Sequence, residues 1–181
     1  MPRRRPEVPR EILEVDWPFL GELCRALAVH VARAYDPEII VGIAKAGVIP
    51  AAIIATILER ELVTIVIARP TEGADPELVS GPPASLAGRR VLLVDETCDS
   101  GDTLKLALHA VNGVRPAAVR TAVSFQTGRW VPDFFAFHTD KTIVLPWDRE
   151  VVADGELVSR QTGSSSTGKA SRHDPPAARR S

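Results

Sequence analysis

Cysteine is almost missing from this chain: only Cys24 and Cys98 occur among 181 residues, in unrelated settings. That scarcity excludes a disulfide framework and a cysteine zinc site, and it suits a reducing compartment. The four histidines, His30, His109, His138 and His173, form no ligand spacing either. An excess of charge of one sign is also lacking. With 22 Lys and Arg against 23 Asp and Glu, the formal net charge is -1, so no global field draws the chain to nucleic acid or to a membrane surface. Any anion must be held locally. The most apolar run, Val48 to Leu58, is about half of a bilayer crossing, and the basic start M-P-R-R-R-P-E-V-P-R has no apolar stretch behind it, unlike a secretory signal. A soluble, cytoplasmic protein is expected. Internal repeats are absent, no G-x-G-x-x-G follows a strand, and no G-x-x-x-x-G-K-[ST] occurs. The standard dinucleotide and nucleoside-triphosphate loops are thereby removed.

What remains is a chain that is 45% hydrophobic, enough for one domain with a full core. Residues 1–10 are Arg- and Pro-rich and read as a flexible N-terminus. From Trp17 to Tyr35, apolar residues recur at Leu20, Leu23, Leu27 and Val31 behind an N-cap at Asp16, which predicts an amphipathic helix. Strands are predicted at Ile39 to Ile43, Leu62 to Ala68, the apolar run beginning at Val91, and Ala118 to Phe125, with helices at Ile49 to Leu58 and Thr103 to Val111. Phe134 to Phe137 and Thr142 to Leu145 read as two short strands of an irregular C-terminal cap. Arg69 to Gly88, with four prolines and three glycines, reads as a long loop of the functional or disordered kind. Residues 159–181 carry no large apolar side chain and read as a disordered tail. Strands alternating with helices predict an α/β fold, a parallel twisted sheet flanked by helices.

The chemistry concentrates in V-L-L-V-D-E-T-C-D-S-G-D-T-L, Val91 to Leu104. A buried strand ends in two carboxylates, then in a loop of hydroxyls around Gly101 that opens a helix. Hydroxyls of Thr97, Ser100 and Thr103 and the free N–H groups of a helix start make a cradle for a phosphate monoester. Asp95 and Glu96 at its entrance suit sugar hydroxyls or a magnesium ion rather than a bare phosphate. Each acidic residue alone is accounted for by a strand end or by a helix dipole; the combination is not.

This stretch resembles the phosphoribosyl-diphosphate (PRPP) motif of the type I phosphoribosyltransferases: an apolar strand, two acidic residues, two variable positions, then D-[ST]-G-x-T. The resemblance extends over about Leu20 to Glu150, where P-E-I-I-V-G-I-A-K-A-G-V-I-P-A is similar to the family's pyrophosphate loop. It implies the type I fold with a small C-terminal hood, a domain spanning 11–158 with the hood mainly in 126–158, and Mg²⁺ as cofactor. It further implies PRPP contacts from Asp95, Glu96, Asp99, Ser100, Gly101, Asp102 and Thr103. Ala44, Lys45, Ala46 and Gly47 would lie on the diphosphate, with Ala46 where the family commonly has Gly. Asp95 and Glu96 would serve the metal, and Arg69 to Gly88 falls where the family has its closing loop.

Asp99 is similar to the aspartate of the 6-oxopurine enzymes, which implies a general base beside purine N7 and a purine as acceptor. Lys45 would stabilise the departing diphosphate. D-K-T-I-V-L-P-W-D resembles the hood of bacterial xanthine-guanine and archaeal purine enzymes, implying base contacts from Gln126, the Ile143 backbone and Trp147. Thr142 stands where those relatives place a stacking aromatic, and Gln126 where they place a Lys. An enzyme for an unusual base and a PRPP-sensing regulator are the competing expectations. The family is commonly dimeric or larger.

Overall fold

The computed structural model describes residues 11–71 and 74–160. The expectations for 1–10 and for 161–181 lie outside the described residues. The chain divides into two compact units, the second beginning at Trp147.

In the first unit, β1 (Ile12–Glu14) precedes α1 (Trp17–Ala34), and then β2 (Ile39–Ala44), α2 (Val48–Leu58) and β3 (Glu61–Ala68) follow. The chain continues through β4 (Glu77–Ser80), β5 (Arg90–Cys98), α3 (Asp102–Gly113), β6 (Ala118–Gln126), β7 (Phe134–His138) and β8 (Thr142–Val144). Six strands form one sheet in the order β4-β3-β2-β5-β6-β7, with β4 antiparallel to its neighbour and the others parallel. The chain goes from β2 to β3 on one side and returns to β5 on the other. The crevice beyond the carboxyl ends of β2 and β5 is therefore the topological switch point, where open α/β sheets bind ligands.

Strict alternation along the central strands explains why they read as continuous apolar runs. Val91 and Leu93 of β5 join Ile39, Val41, Leu104 and Val111 in one cluster, on the α3 face. Leu92 and Val94 join Ile40, Leu27, Val31 and Ile54 in the other, on the face of α1 and α2. Helix α1 starts as expected, with Asp16 Oδ1 accepting the Phe19 N–H at 2.8 Å and Pro18 in the first turn. Asp16→Ala is expected to destabilise the protein by about 1 kcal/mol, read from urea unfolding.

Three expectations need correction. Residues 69–88 are not a continuous irregular loop: β4 lies along β3, a 3₁₀ turn covers Ala84–Leu86, and Leu86 is fully buried. An edge strand of four residues is too short to impose a period on a segment that also carries four prolines. Phe134–His138 is not part of a cap but the edge strand of the main sheet, in parallel register with β6. Its apolar residues pair against Ala122 to Phe125 and so read like any core strand. Strand β8 instead pairs with β1, a three-residue strand absent from the expectations.

The second unit contains an antiparallel hairpin, β9 (Glu150–Ala153) and β10 (Glu156–Ser159), turning through Asp154 and Gly155 at φ 52 and 84. Two left-handed residues make the turn that suits a two-residue hairpin, and Asp-Gly is its sequence signal. The expected tail thus loses Ser159 to β10. No described helix is long and apolar enough to cross a membrane.

Candidate active site

Two clefts open at the switch point. One, of about 220 Å³, lies between the ends of β2, β3 and β5 and is lined by Ala44, Lys45, Ala46, Arg69, Asp95 and Glu96, among others. The other, of about 170 Å³, is lined by the loop from Thr97 to Leu104 together with Arg69 and Asp95. They share Arg69, Asp95, Thr97 and Thr103 as walls, so the two sequence motifs meet across one divided crevice.

The β2–α2 turn is built by Ala44 to Gly47, and the Ala44–Lys45 peptide is cis. No positive φ is required at Ala46, so alanine fits where the family commonly has glycine. Gly47 lies hard against β5: a Cβ there would stand 2.6 Å from Asp95 Oδ1 and 2.9 Å from Asp95 Cα. The close approach brings the Lys45 turn beside the acidic pair. Asp95 is 6% exposed, and its Oδ1 accepts the Glu96 N–H at 3.0 Å. Burial, and then the Glu96 carboxyl beside it, push the Asp95 carboxyl well above the ordinary carboxylate range.

Strand β5 runs through Cys98, four residues past the apolar run, with Thr97 opposite Phe125 and Cys98 opposite Gln126. The cradle proper is therefore Asp99 to Thr103. Gly101 caps α3 at φ 78 and ψ 5, a left-handed conformation that costs glycine nothing. Ser100 Oγ donates to Asp102 Oδ2 at 2.7 Å, and Lys105 Nζ donates to Asp102 Oδ1 at 3.1 Å and to the Ser100 carbonyl at 3.0 Å. The Ser100 hydroxyl and the Lys105 ammonium hold the Asp102 carboxyl below its usual range.

The crevice thus brings together Ala44, Lys45, Ala46, Asp95, Glu96, Asp99, Ser100, Gly101, Asp102 and Thr103. Gln126 and Ile143, two of the expected base contacts, are not among the residues that line either cleft. Gln126 is 3% exposed, and its amide bonds His138 Nδ1 and the Gly128 carbonyl. Ile143 lies in β8 opposite Leu13. Its neighbours bond toward β1, through Thr142 N–H to the Glu11 carbonyl and Val15 N–H to the Val144 carbonyl. Backbone groups alternate sides along a strand, so those of Ile143 point away from β1. Trp147 opens the second unit.

Lys105 and Gly128 were missed by the sequence reading. The i,i+3 spacing of Asp102 and Lys105 is a usable signal for the first. Gly128 has no local signal, because what it touches is Asp99, 29 positions away in sequence and just past the end of the neighbouring strand β5.

Cys98 is among the residues lining the smaller cleft. It ends β5 at 2% exposure, and burial, helped by the Asp95 and Asp99 carboxylates, pushes its thiol up to about 11. Both cysteines are free and buried. Neither is expected to react with iodoacetamide at pH 8 in the folded protein, while both do in urea, as read by mass spectrometry. The sign for stability follows from the same shift. The folded state holds the Cys98 proton more tightly than the unfolded chain, so this group's contribution is lost as pH rises from about 9 to about 11.

Residues 15–152 match the family described as the phosphoribosyl transferase domain. The xanthine-guanine phosphoribosyltransferase of Nitratidesulfovibrio vulgaris Hildenborough is 28% identical over 147 residues, covering 78% of this chain and 88% of that protein. The crystal structure of a purine phosphoribosyltransferase from Pyrococcus horikoshii superposes with a TM-score of 0.71 at 29% identity, covering 81% of this chain and 99% of the other. The xanthine-guanine-hypoxanthine enzyme of Helicobacter pylori shares the fold, with a TM-score of 0.63 at 19% identity over 76% of this chain and 93% of that one. A match over 138 consecutive residues, laid on a switch-point crevice that carries both loops, leads to one conclusion: this chain belongs to the phosphoribosyl transferase domain family and has the type I fold.

Proposed function

We propose that the protein transfers the 5-phosphoribosyl group of PRPP to a ring nitrogen of a 6-oxopurine, giving a nucleoside monophosphate and diphosphate. The observation that carries this is the divided crevice, with Lys45 lining one cleft, the Asp99 to Thr103 loop lining the other, and Arg69 shared by both. The named activities of the Nitratidesulfovibrio and Pyrococcus relatives support the purine.

In this reading the 5′-phosphate lies in the cradle, on the hydroxyls of Ser100 and Thr103 and the N–H groups at the start of α3. The diphosphate lies in the larger cleft, where Lys45, Arg69 and the amides of Ala44 to Gly47 stabilise the charge that builds as it leaves. Asp95 and Glu96 accept the ribose hydroxyls. As the bond from C1′ to the diphosphate oxygen breaks, the bond from purine nitrogen to C1′ forms on the opposite face. The displaced purine proton passes to the Asp99 carboxylate, the general base.

The donor set also fits Mg²⁺. Asp95 and Glu96 are adjacent hard oxygen donors on the wall of the larger cleft. Magnesium is commonly held through one or two carboxylates together with substrate phosphates, and when bound it would neutralise diphosphate charge. A cytoplasmic location and assembly as a homodimer or larger belong to the same proposal; light scattering reads the latter.

The acceptor is tested by incubating the protein with Mg-PRPP and guanine, xanthine, hypoxanthine, adenine, orotate or uracil and measuring diphosphate release. Turnover of an oxopurine is expected. Tight PRPP binding without turnover of any base would replace the enzyme by a PRPP-binding regulator. An unusual acceptor is the second reading, favoured by the internal bonds of Gln126 and by the exposed Thr142. Turnover of adenine alone would overturn the role given to Asp99.

A further inference from the structure

The segment after β6 takes no part in the reaction just described, yet it is packed against the loop that does. Thr127 and Gly128 both donate backbone N–H groups to the Cys98 carbonyl, at 2.8 and 3.3 Å. Thr127 Oγ1 donates to the same oxygen at 3.3 Å, and Cys98 Sγ donates to the Trp130 carbonyl at 3.8 Å. The backbone immediately before Asp99 is therefore pinned from the β6 side. Contact with Asp99 itself is closer still, since a Cβ on Gly128 would overlap both the carbonyl oxygen and Oδ1 of Asp99.

Gln126, the last residue of β6, holds this segment in place. Its Nε2 donates to the Gly128 carbonyl and, at 3.4 Å, to that of Trp130. Its Oε1 meets His138 Nδ1 at the end of β7. An amide oxygen only accepts, so Nδ1 carries the hydrogen in that contact. Both amide hydrogens of Gln126 are engaged, and the side chain is buried.

We propose that Gly128 is a positioning residue for Asp99, held at its back by Gln126, which His138 orients. The proposal rests on Asp99 being the base of the transfer reaction. Absence of a side chain at position 128 lets the two strand ends close up, and the Gln126 bonds keep them closed. The Asp99 carboxylate then has one side occupied and must face the crevice. Gln126 acts on the reaction through this segment and not by touching the base. Displacement of a reacting group by about 1 Å costs up to about 100-fold in rate, so the contact is large enough to measure.

The test combines single variants with the Asp99→Asn background. Gly128→Ala is expected to lower kcat about 10- to 100-fold for whichever oxopurine the wild type turns over, with the PRPP Kd changed less than about threefold. Gln126→Met and His138→Ala should give smaller losses of the same kind, about 3- to 10-fold. In the Asp99→Asn background each should add less than about twofold, because the group they position no longer acts. Should melting show Gly128→Ala to be unfolded, the Gln126 and His138 cycles decide the matter. Unchanged kcat in the single variants, or full losses persisting without the Asp99 carboxylate, would overturn the positioning role alone. A wild type that turns over no base overturns the transferase reading, and this one with it.

Discussion

Asp99→Asn is expected to lower kcat by about 100- to 1,000-fold while leaving the PRPP Kd within about threefold of the wild type. Positioned general bases contribute about 10² to 10⁴ in rate. Asparagine keeps the size of the side chain and one acceptor oxygen, so packing against Gly128 and the line of the loop survive. What it loses is the ability to take a proton from the incoming nitrogen. Asp99 lines the smaller cleft alongside Ser100, Gly101 and Thr103, and the phosphate contacts proposed for those residues do not depend on its charge. A loss confined to the chemical step is the outcome that distinguishes a base from a phosphate ligand. Single-turnover rates and PRPP titration of the same preparation provide the check. Equal losses in both quantities would remove the base role and leave Asp99 as part of the cradle.

Gly101→Val acts on the other half of the reaction, and the expected result is a weakening of PRPP binding by about 30- to 100-fold. Two effects add. The residue sits at φ 78, where a β-branched side chain is strained by about 1–3 kcal/mol. Its Cβ would also stand 2.5 Å from Trp130 Cγ and 2.7 Å from Cδ2, a ring partly buried against the core. The ring has little room to retreat, so the loop moves and the N–H groups of the α3 start lose their common focus. About 1.4 kcal/mol corresponds to a factor of ten in binding, which sets the size of the effect. Trp130→Ala in the same chain should restore part of the affinity, because it removes the overlap but not the backbone strain. Calorimetric titration with Mg-PRPP, with melting temperatures alongside, checks both. Unaltered affinity in Gly101→Val would show that the loop does not hold the phosphate.

These two positions also mark what could be read in one dimension. The phosphate cradle was legible because its parts are contiguous: strand, acidic pair, loop and helix start follow one another within Val91 to Leu104. Chemistry carried by neighbours in sequence needs only local geometry to assemble. The same holds for α1, whose cap, first-turn proline and apolar spacing lie within one segment, and for the alternation of β5 between two apolar layers. Strand β1 was not legible, since three residues carry no period, and neither was its pairing with β8, which was expected as a strand without a partner. The end of β5 is hidden in sequence for a related reason. Polar residues follow the apolar run from Asp95 on, yet β5 continues through Cys98 because β6 pairs with it there.

By itself, then, the sequence determined the parallel sheet, the order of its helices, and the two contiguous motifs that line the switch-point crevice, because periodicity and contiguous motifs are properties of the chain alone. Tertiary structure decided where β7 lies, that Gln126 bonds His138 and Gly128, and that Gly128 and Trp130 press on the Asp99 to Gly101 loop. Apart from the Gln126–Gly128 bond, those contacts join residues 12 to 29 positions apart, and no local propensity encodes them. They exist because parallel strands brought side by side leave their ends a fixed distance apart, and only a glycine at that meeting point fits the space.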